Sequence, residues 1–190
     1  MLHGDELTIK EIARQKKIDR ISIYQPMIIG EKEYTFSRKD VGDQLSIYLP
    51  DQFEEMSEEH ARYKYPSEFR PNLILTDDSG SVNITFSVLK QETTNSMKEF
   101  IDSLRDASKR LNQSGVFLEK KVVETENAEV GYYDYRGSTF SSDVYVLKFA
   151  APMNDVTALG SFSCTWGEHD EWSILMKQIV SSIIINADTK

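Results

Sequence analysis

The chain has 190 residues, the length of one domain or of one domain with an appendage. Its 31 acidic residues against 22 lysines and arginines give a net charge of −9, which disfavours nucleic acids and anionic membranes as partners because both repel negative charge. One cysteine, Cys164, excludes an intrachain disulfide, so we expect a reducing, cytoplasmic location. The first residues contain no apolar run, and neither a secretory signal nor a membrane span is expected.

The N-terminal part of the chain predicts a helix followed by a hairpin. Residues 5–17 place leucine and isoleucine among charges, with acids before them and lysines after them, as in a short amphipathic helix. Residues 18–36 alternate around a Gly-Glu turn and predict a hairpin, with Pro26 at an edge or a bulge. We therefore divide the chain into an N-terminal helix and hairpin extension, 1–40, and a main domain, 41–190.

The next segment predicts strands around an acidic turn. Residues 44–49 alternate in hydrophobicity, which predicts a strand that ends at Pro50. The stretch "DQFEEMSEEHARYKYP" follows and is interpreted as a turn with an acidic surface. The runs "NLILT", 72–76, and "VNITFSVL", 82–89, flank "DDSGS" and predict a β-hairpin whose second strand has one buried face and one solvent face.

The remaining chain predicts two long helices with a strand meander between them. Residues 94–113 carry apolar side chains at helical spacing as far as Leu111. Four strands follow, at 116–124, 129–136, 143–151 and 157–165. A closing helix over about 168–184 has a predicted buried stripe of Trp172, Leu175, Met176, Ile179 and Ile183. Short connections make the sheet mostly antiparallel, so the predicted fold class is α+β, with about six strands covered by two main amphipathic helices.

Several of these segments together resemble a known superfamily. The chain resembles the PsbP-like superfamily through a short strand ending in proline ("SIYLP"), then "YKYPSEFRPNLILT", "VNITFSV", a helix, a meander and "FSCTWGEHDEW" before a closing helix. The resemblance covers about residues 40–186. It is strongest where the strand carrying "FSC" runs through an acidic turn and a tryptophan into the last helix. The superfamily includes the Ran-binding Mog proteins and the bacterial DcrB-like proteins, and the chain is most similar to the latter.

The resemblance implies an antiparallel sheet of about six strands between helices, and a protein that is not an enzyme. Members of the superfamily dock on a protein: a photosystem, a small GTPase or, for DcrB-like relatives, secreted effectors held by a dedicated chaperone. We therefore expect an unidentified protein partner and no cofactor. No binding motif of any member is present in this sequence, so the resemblance assigns no individual residue to a site.

The stretch "SFSCTWGEHDEW", 161–172, holds the strongest candidates for catalysis. Cys164 and His169 lie five residues apart, and a nucleophilic pair needs side chains within hydrogen-bonding reach and an orienting third group. Cys164 shares its strand face with Phe162 and Trp166, and if this face points inward the thiol is buried and unreactive. We therefore interpret the stretch as a strand that passes into a helix, and we predict no catalytic residue.

The acidic residues and histidines of the chain do not predict a metal site. Glu168, Asp170 and Glu171 lie at the start of the last helix, where carboxylates interact favourably with the helix dipole. Consecutive helical residues point in different directions, so these acids do not converge with His169. His60 lies in the acidic turn without a placed partner. The "DDSGS" turn lacks the later bidentate acid of a calcium loop, so no metal ligand is predicted.

Tyrosines provide the candidate protein-binding residues. In "GYYDYRG", 131–137, two tyrosines share one strand face and an arginine lies on the other. The stretch "YKYPSEF" adds two more tyrosines and Phe69. Tyrosine and arginine carry much of the energy in protein interfaces, whereas ordinary cross-strand packing is the alternative interpretation. The predicted protein-binding residues are Tyr63, Tyr65, Tyr133, Tyr135 and Arg136.

Three hypotheses for function follow. The first is a non-enzymatic adaptor or chaperone-like module that docks a protein partner, as the resemblance and the tyrosine-rich strands indicate. The second is an enzyme that uses Cys164 and His169, which predicts a reactive thiol. The third is a structural homodimer formed through the N-terminal hairpin, because an exposed strand edge can pair with a second copy of the chain.

Overall fold

The computed structural model describes residues 12, 15, 16, 18–90, 96–139, 142–153 and 156–186. Three α-helices lie entirely within this part of the chain, α1 (Glu58–Lys64), α2 (Met97–Leu111) and α3 (His169–Ser181), and a 3-10 turn, Trp166–Glu168, precedes the last of them. None of the described helices has the length and hydrophobicity needed to cross a lipid bilayer. The strands are β1 (Met27–Ile29), β2 (Lys32–Tyr34), β3 (Phe36–Val41), β4 (Leu45–Pro50), β5 (Glu54–Glu55), β6 (Leu73–Thr76), β7 (Asn83–Leu89), β8 (Val116–Glu124), β9 (Glu129–Ser138), β10 (Asp143–Met153), β11 (Val156–Thr165) and β12 (Ile184–Ile185).

Seven strands form the main antiparallel sheet, in the order β5-β6-β7-β11-β10-β9-β8. The four meander strands pair as neighbours, and β7 then pairs with β11. Their predicted bounds agree with the observed ones to within two residues because the turns between them are short and polar. The structure therefore confirms an α+β fold with a large antiparallel sheet, which has seven strands rather than about six.

Helix α3 covers one face of the main sheet, and the largest core lies beneath it. The Trp172 side chain is fully buried, and its ring centroid lies 5.0 Å from that of Tyr34 and 5.2 Å from that of Phe162 on β11. Offset and edge-on aromatic packing of this kind stabilises a core beyond the area that it buries. The other buried residues of the predicted stripe that lie on α3 are Leu175, Met176 and Ile179.

Helix α2 covers the opposite face of the sheet. Ser96 caps the helix, since its hydroxyl accepts the Glu99 N–H at 3.3 Å. Ile101 is fully buried against Gly131 of β9, where a Cβ atom would lie 3.0 Å from the Ile101 side chain. Glycine at this position therefore allows the helix to approach the sheet closely. Leu111, which the sequence places in the buried stripe, is exposed, so the stripe ends before the last residue of the helix.

A second sheet has three strands in the order β12-β4-β3. Alternate residues of β4 are buried as predicted: Leu45, Ile47 and Leu49. The predicted end of the last helix at 184 is wrong, because Ser182 ends the helix. The Ser182 hydroxyl donates to the Ile179 carbonyl at 2.6 Å and accepts the Tyr48 N–H at 3.0 Å. The chain then turns into β12 and pairs with β4.

The segment before β3 packs onto the main core. The predicted helix over 5–17 lies almost entirely outside the described residues, and the described hairpin β1–β2 is shorter than the predicted range 18–36. Gln178 of α3 fixes the preceding chain: its Nε2 donates to the Ile21 carbonyl at 2.9 Å, and its Oε1 accepts the Ile23 N–H at 3.0 Å. The buried residues of the segment join the core under α3: Ile21, Ile23, Ile29 and Tyr34. The division of the chain at residue 40 stays a prediction, and β3 runs across it.

Strand β7 is buried on both faces in its first half. Ile84 and Phe86 are buried as predicted, but Asn83 and Thr85, on the face that the sequence assigns to solvent, are buried too. The Asn83 amide donates to the Gly80 carbonyl at 3.2 Å, and the Thr85 hydroxyl donates to a carbonyl of β11 at 3.3 Å. The predicted solvent face is wrong here: hydrogen bonds to the backbone satisfy the Asn83 side-chain nitrogen and the Thr85 hydroxyl inside the protein.

Candidate functional site

Helix α1 lies in the segment that the sequence pattern assigns to an acidic turn. Ser57 caps it by accepting the His60 N–H at 3.4 Å. Acidic residues occupy the first turn and basic residues the last turn, as the helix dipole favours. Ala61 is its one buried residue. The prediction of a turn is wrong because a helix that buries a single residue has no apolar stripe in its sequence.

A small core beneath α1 holds the helix against the edge of the main sheet. Met56, Ala61 and Ile74 are buried together, and the Tyr65 ring packs against them. Burial raises the pKa of the Tyr65 hydroxyl above its ordinary value. The structure thus places Tyr65, one of the predicted binding residues, as a support for α1.

Two aromatic side chains next to this small core project into solvent. Tyr63 of α1 is 92% exposed, and Phe69, in the loop between α1 and β6, is 94% exposed. Such rings are effective interface anchors because they remove a large area from water with few rotatable bonds. The structure therefore places the predicted residue Tyr63 where a partner can reach it, with Phe69 in the same segment.

A cavity of about 600 Å³ lies beside Tyr63, between α1, β5 and the β6–β7 turn. A recess of this size can receive side chains of a partner. Its lining joins apolar and aromatic side chains to carboxylates, and the residues that matter here are Glu54, Glu55, Met56, Tyr63, Asp77 and Asp78. We call this recess the α1 cavity.

The β6–β7 turn forms one wall of the α1 cavity and is fixed by the Asp77 carboxylate. This carboxylate accepts the Val82 N–H at 3.2 Å, the Ser79 hydroxyl at 2.7 Å and the Lys32 ammonium at 2.8 Å. Burial opposes the charge, but these bonds hold the pKa of Asp77 below its ordinary value. Lys32 also pairs with Asp78. Within the described ranges, no group of three histidine, cysteine, aspartate or glutamate side chains could hold a metal ion.

The other two predicted tyrosines lie in the core between β9 and α2. Tyr133 is 0% exposed, and Tyr135 is buried as well. The Phe117 ring stacks on the Tyr135 ring, with 4.8 Å between the two centroids, and helps to cover it. Neither ring can contact a partner without unfolding of this region, so both are corrected from binding residues to core residues. The sequence left this open because β9 carries aromatic residues on both faces.

Arg136 lies on β9, four strands away from β6, the strand against which α1 packs. Its side chain is at the surface and stacks on an aromatic ring. Its guanidinium carbon lies 4.7 Å from the centre of the Trp166 ring, and its Nε donates to the Asp143 carboxylate at 2.9 Å. The Trp166 ring stacks in turn on His169, with 3.9 Å between centroids. Arg136 and Tyr63 are thus on different parts of the sheet, and the five predicted residues do not form one surface.

Cys164 lies in the core under α3 and is 1% exposed. Burial, together with the charges of Glu168 and Glu171, raises the pKa of its thiol far above the ordinary value. In the described part of the chain no hydrogen bond joins Cys164 to His169, whose Nδ1 lies 2.9 Å from the Trp166 carbonyl oxygen. A buried, neutral thiol is a poor nucleophile, so this geometry gives no support to catalysis at the site.

A buried polar cluster that the sequence analysis did not identify joins α3 to the sheet. Asp134 of β9 is 1% exposed; its Oδ1 accepts the Glu119 N–H at 2.7 Å, and its Oδ2 accepts the Tyr145 hydroxyl at 2.9 Å. A register shift between Phe117 and Lys120 takes Glu119 out of the β8–β9 ladder. The Glu119 N–H therefore has no carbonyl acceptor on β9, and the Asp134 carboxylate accepts it instead. The Lys177 ammonium of α3 lies 2.6 Å from Glu119 and 3.4 Å from Asp134.

The pair formed by Glu119 and Lys177 predicts a pH-dependent part of the stability. The hydrogen bond from Lys177 holds the pKa of Glu119 below its ordinary value of 4.5. Near that pH the folded protein binds fewer protons than the unfolded chain, so the contribution is complete above the ordinary pKa and is lost as the pH falls through the lowered pKa. Urea unfolding of the unmodified protein and of Glu119→Gln should therefore differ in free energy at neutral pH, and the difference should shrink as the pH falls below 4.5. A difference that stays constant over this range would contradict the assignment.

Comparisons with known sequences do not place the chain in a family. No protein-family model matches it. A search of curated proteins also finds no match to the sequence. Any relationship therefore has to be sought in the fold.

Solved structures share this fold at low sequence identity. PsbP (CyanoP) from Synechocystis sp. PCC 6803 is 12% identical with a TM-score of 0.54 and covers 84% of this chain and 98% of its own. The Ran-binding protein Mog1p of Saccharomyces cerevisiae is 10% identical with a TM-score of 0.52 over 80% and 96% of the two chains. LpqN of Mycobacterium tuberculosis, involved in cell envelope biogenesis, is 12% identical with a TM-score of 0.50 over 84% and 95%. The described structure therefore has the PsbP/Mog1-like fold that its sequence resembles.

Proposed function

We propose that the protein is a non-enzymatic binding module, an adaptor or chaperone-like protein that docks a protein partner on the surface of α1. The observation that carries the proposal is the pair of almost fully exposed aromatic rings, Tyr63 and Phe69, beside the α1 cavity. Large exposed aromatic side chains next to a recess are typical of interaction sites. The Ran-binding protein Mog1p, which has the same fold, supports a protein partner by analogy alone.

The support beneath α1 favours a preformed docking surface. Ala61 and the Tyr65 ring anchor the helix on Met56 and Ile74, while Tyr63 points away from this small core. An anchor held on a packed helix loses little conformational freedom when it binds, which favours affinity. Tyr65 therefore contributes to binding by positioning α1.

Arg136 remains a candidate for a second contact with the partner. It is half-exposed, and Trp166 and Asp143 hold its guanidinium in one orientation. Arginine and tryptophan are enriched among residues that dominate binding energy. Because α1 and β9 lie toward opposite ends of the main sheet, a partner that uses both would have to extend across it.

Replacement of both exposed rings tests the proposal. The tagged protein is used to capture partners from lysate of its own organism, and bound proteins are identified by mass spectrometry. We expect one stoichiometric partner. The double variant Tyr63→Ala with Phe69→Ala should raise the dissociation constant of the complex about tenfold or more, because each ring buries a large apolar area in the complex. Leu111→Ala, which removes an exposed apolar side chain from α2, is the matched control and should leave binding unchanged. Equal binding by the double variant, or the capture of no partner, would contradict the proposal.

Two further outcomes separate the alternatives. A homodimer built through the β1–β2 hairpin would show twice the chain mass in light scattering. An enzyme acting through Cys164 would show rapid labelling of the native thiol, which the burial of that side chain disfavours. A cytoplasmic location is part of the proposal as well, and it is supported by the single unpaired cysteine.

A further inference from the structure

The negative charge of the chain is concentrated around the α1 cavity. Residues 51–80 contain eight acidic residues and three lysines and arginines, a net charge of −5 out of −9 for the whole chain. This segment comprises β5, α1, β6 and the start of the β6–β7 turn. The segment that carries the exposed Tyr63 and Phe69 rings is therefore strongly acidic.

The carboxylates on the inner wall of the α1 cavity are already paired with a lysine. Asp77 is buried and bonded to Lys32, and Lys32 also pairs with Asp78. Lys64, the nearest other cation in the lining, donates to the Gly80 carbonyl oxygen and not to a carboxylate. Lys32 thus pairs with both aspartates, and the Lys64 ammonium adds a second positive charge near Asp77.

Among the described residues, the carboxylates of β5 have no such partner. Glu54 and Glu55 are both exposed, and both line the α1 cavity. Neither forms an ion pair or a side-chain hydrogen bond with any residue among those described. Both carboxylates are open to solvent, and a cationic side chain placed in the recess would gain a favourable charge interaction with them.

We propose that the α1 cavity binds an arginine- or lysine-bearing segment of the protein partner. The inference rests on the proposed function and names the chemistry of its docking site. Glu54 and Glu55, which point to opposite sides of β5, accept hydrogen bonds from cationic side chains of the segment, and the Tyr63 ring offers a face on which a guanidinium can stack. Arginine is preferred over lysine because its planar donors match carboxylates and aromatic faces together. The exposed Phe69 ring extends the surface beyond what a small cation needs, which favours a peptide segment as the occupant.

Fluorescence anisotropy with a short labelled peptide of alternating glycine and arginine tests this inference. We expect the peptide to bind the full chain and an equivalent glycine–glutamine peptide not to bind. Glu54→Gln with Glu55→Gln should weaken binding about tenfold. The matched control is Glu124→Gln with Glu129→Gln. These two exposed glutamates are paired on β8 and β9, and their replacement removes the same total charge at the opposite end of the sheet. This control should change the dissociation constant less than about twofold.

The outcomes distinguish a specific site from general attraction. Equal weakening by the two double variants would show that only the net charge attracts the peptide, and this would overturn the inference. Failure of the arginine peptide to bind the unmodified chain would overturn it too. The proposed function would still stand in both cases if Tyr63→Ala with Phe69→Ala abolished capture of the partner, because that experiment does not depend on the charge of the bound segment.

Discussion

Tyr133→Ala is expected to lower the free energy of unfolding by about 4 kcal/mol, because the truncation of a fully buried aromatic ring leaves a cavity. The ring is packed between β9 and α2, and it faces Phe117 in a stacked arrangement. Its hydroxyl shares a hydrogen bond of 2.6 Å with the Ser108 hydroxyl and donates to the Leu104 carbonyl at 3.3 Å. Burial accordingly raises the pKa of the Tyr133 hydroxyl to about 12. Equilibrium unfolding in urea measures the change.

Two further substitutions make the Tyr133 prediction specific. Tyr133→Phe keeps the ring and removes only the hydroxyl, so it should cost about 1 kcal/mol. Tyr63→Ala removes the same type of side chain from an exposed position and should change stability by less than about 0.5 kcal/mol. A small effect of Tyr133→Ala with a large effect of Tyr63→Ala would reverse the assignment of core and surface tyrosines.

Gly160→Ala is expected to destabilise the fold by about 3 kcal/mol, the upper part of the range for an overpacked core. Gly160 on β11 lies between Phe86 of β7 and Phe149 of β10 in the ladder register. The two phenyl rings meet over it, with 6.0 Å between their centroids. A Cβ atom on Gly160 would lie 1.9 Å from Phe149 Cζ, so the fully buried ring would have to move.

A rescue experiment isolates this steric cause. Adding Phe149→Leu to Gly160→Ala should give a total loss smaller than the sum of the two single losses, because the smaller side chain leaves room for the methyl group. Gly167→Ala is the control, since a Cβ there meets no atom within 4 Å. Thermal or urea unfolding of the unmodified protein, the two single variants and the double variant gives the coupling energy between positions 149 and 160. Simple additivity of Gly160→Ala and Phe149→Leu would show that the steric account is incorrect.

The sequence predicts elements well where a periodic pattern is bounded by polar turns. The meander strands and α2 fall into this class, since alternation and the apolar stripe that includes Ile101 are strong local signals. Helix α1 does not, because Ala61 is the one residue that it buries. Strand β12 continues the apolar run of α3 in sequence, and it becomes a strand only because β4 supplies a partner distant in sequence.

Burial of both faces of a strand explains the errors at the predicted site. Six consecutive residues of β9, 130–135, are buried, since α2 covers one face and the core under α3 lies on the other. A nearly continuous apolar and aromatic run is the sequence signal of such a strand, and "VGYYDY" carries it. Asp134 interrupts the run, and a lone acid in a doubly covered strand indicates a buried polar cluster. The exposure of Tyr63, by contrast, depends on where α1 packs, which no local pattern determines.

The clasp between Gln178 and the backbone of Ile21 and Ile23 constrains the order of folding during synthesis. It joins residues 155 and 157 positions apart, and closing loops of this length carries a large entropic cost. Translation produces the seven strands of the main sheet before α3, so the nascent chain exposes one apolar face of that sheet until Trp172 and its helix emerge. Until α3 docks on the sheet, the nascent polypeptide is thus a natural client for the chaperones that bind exposed apolar surface.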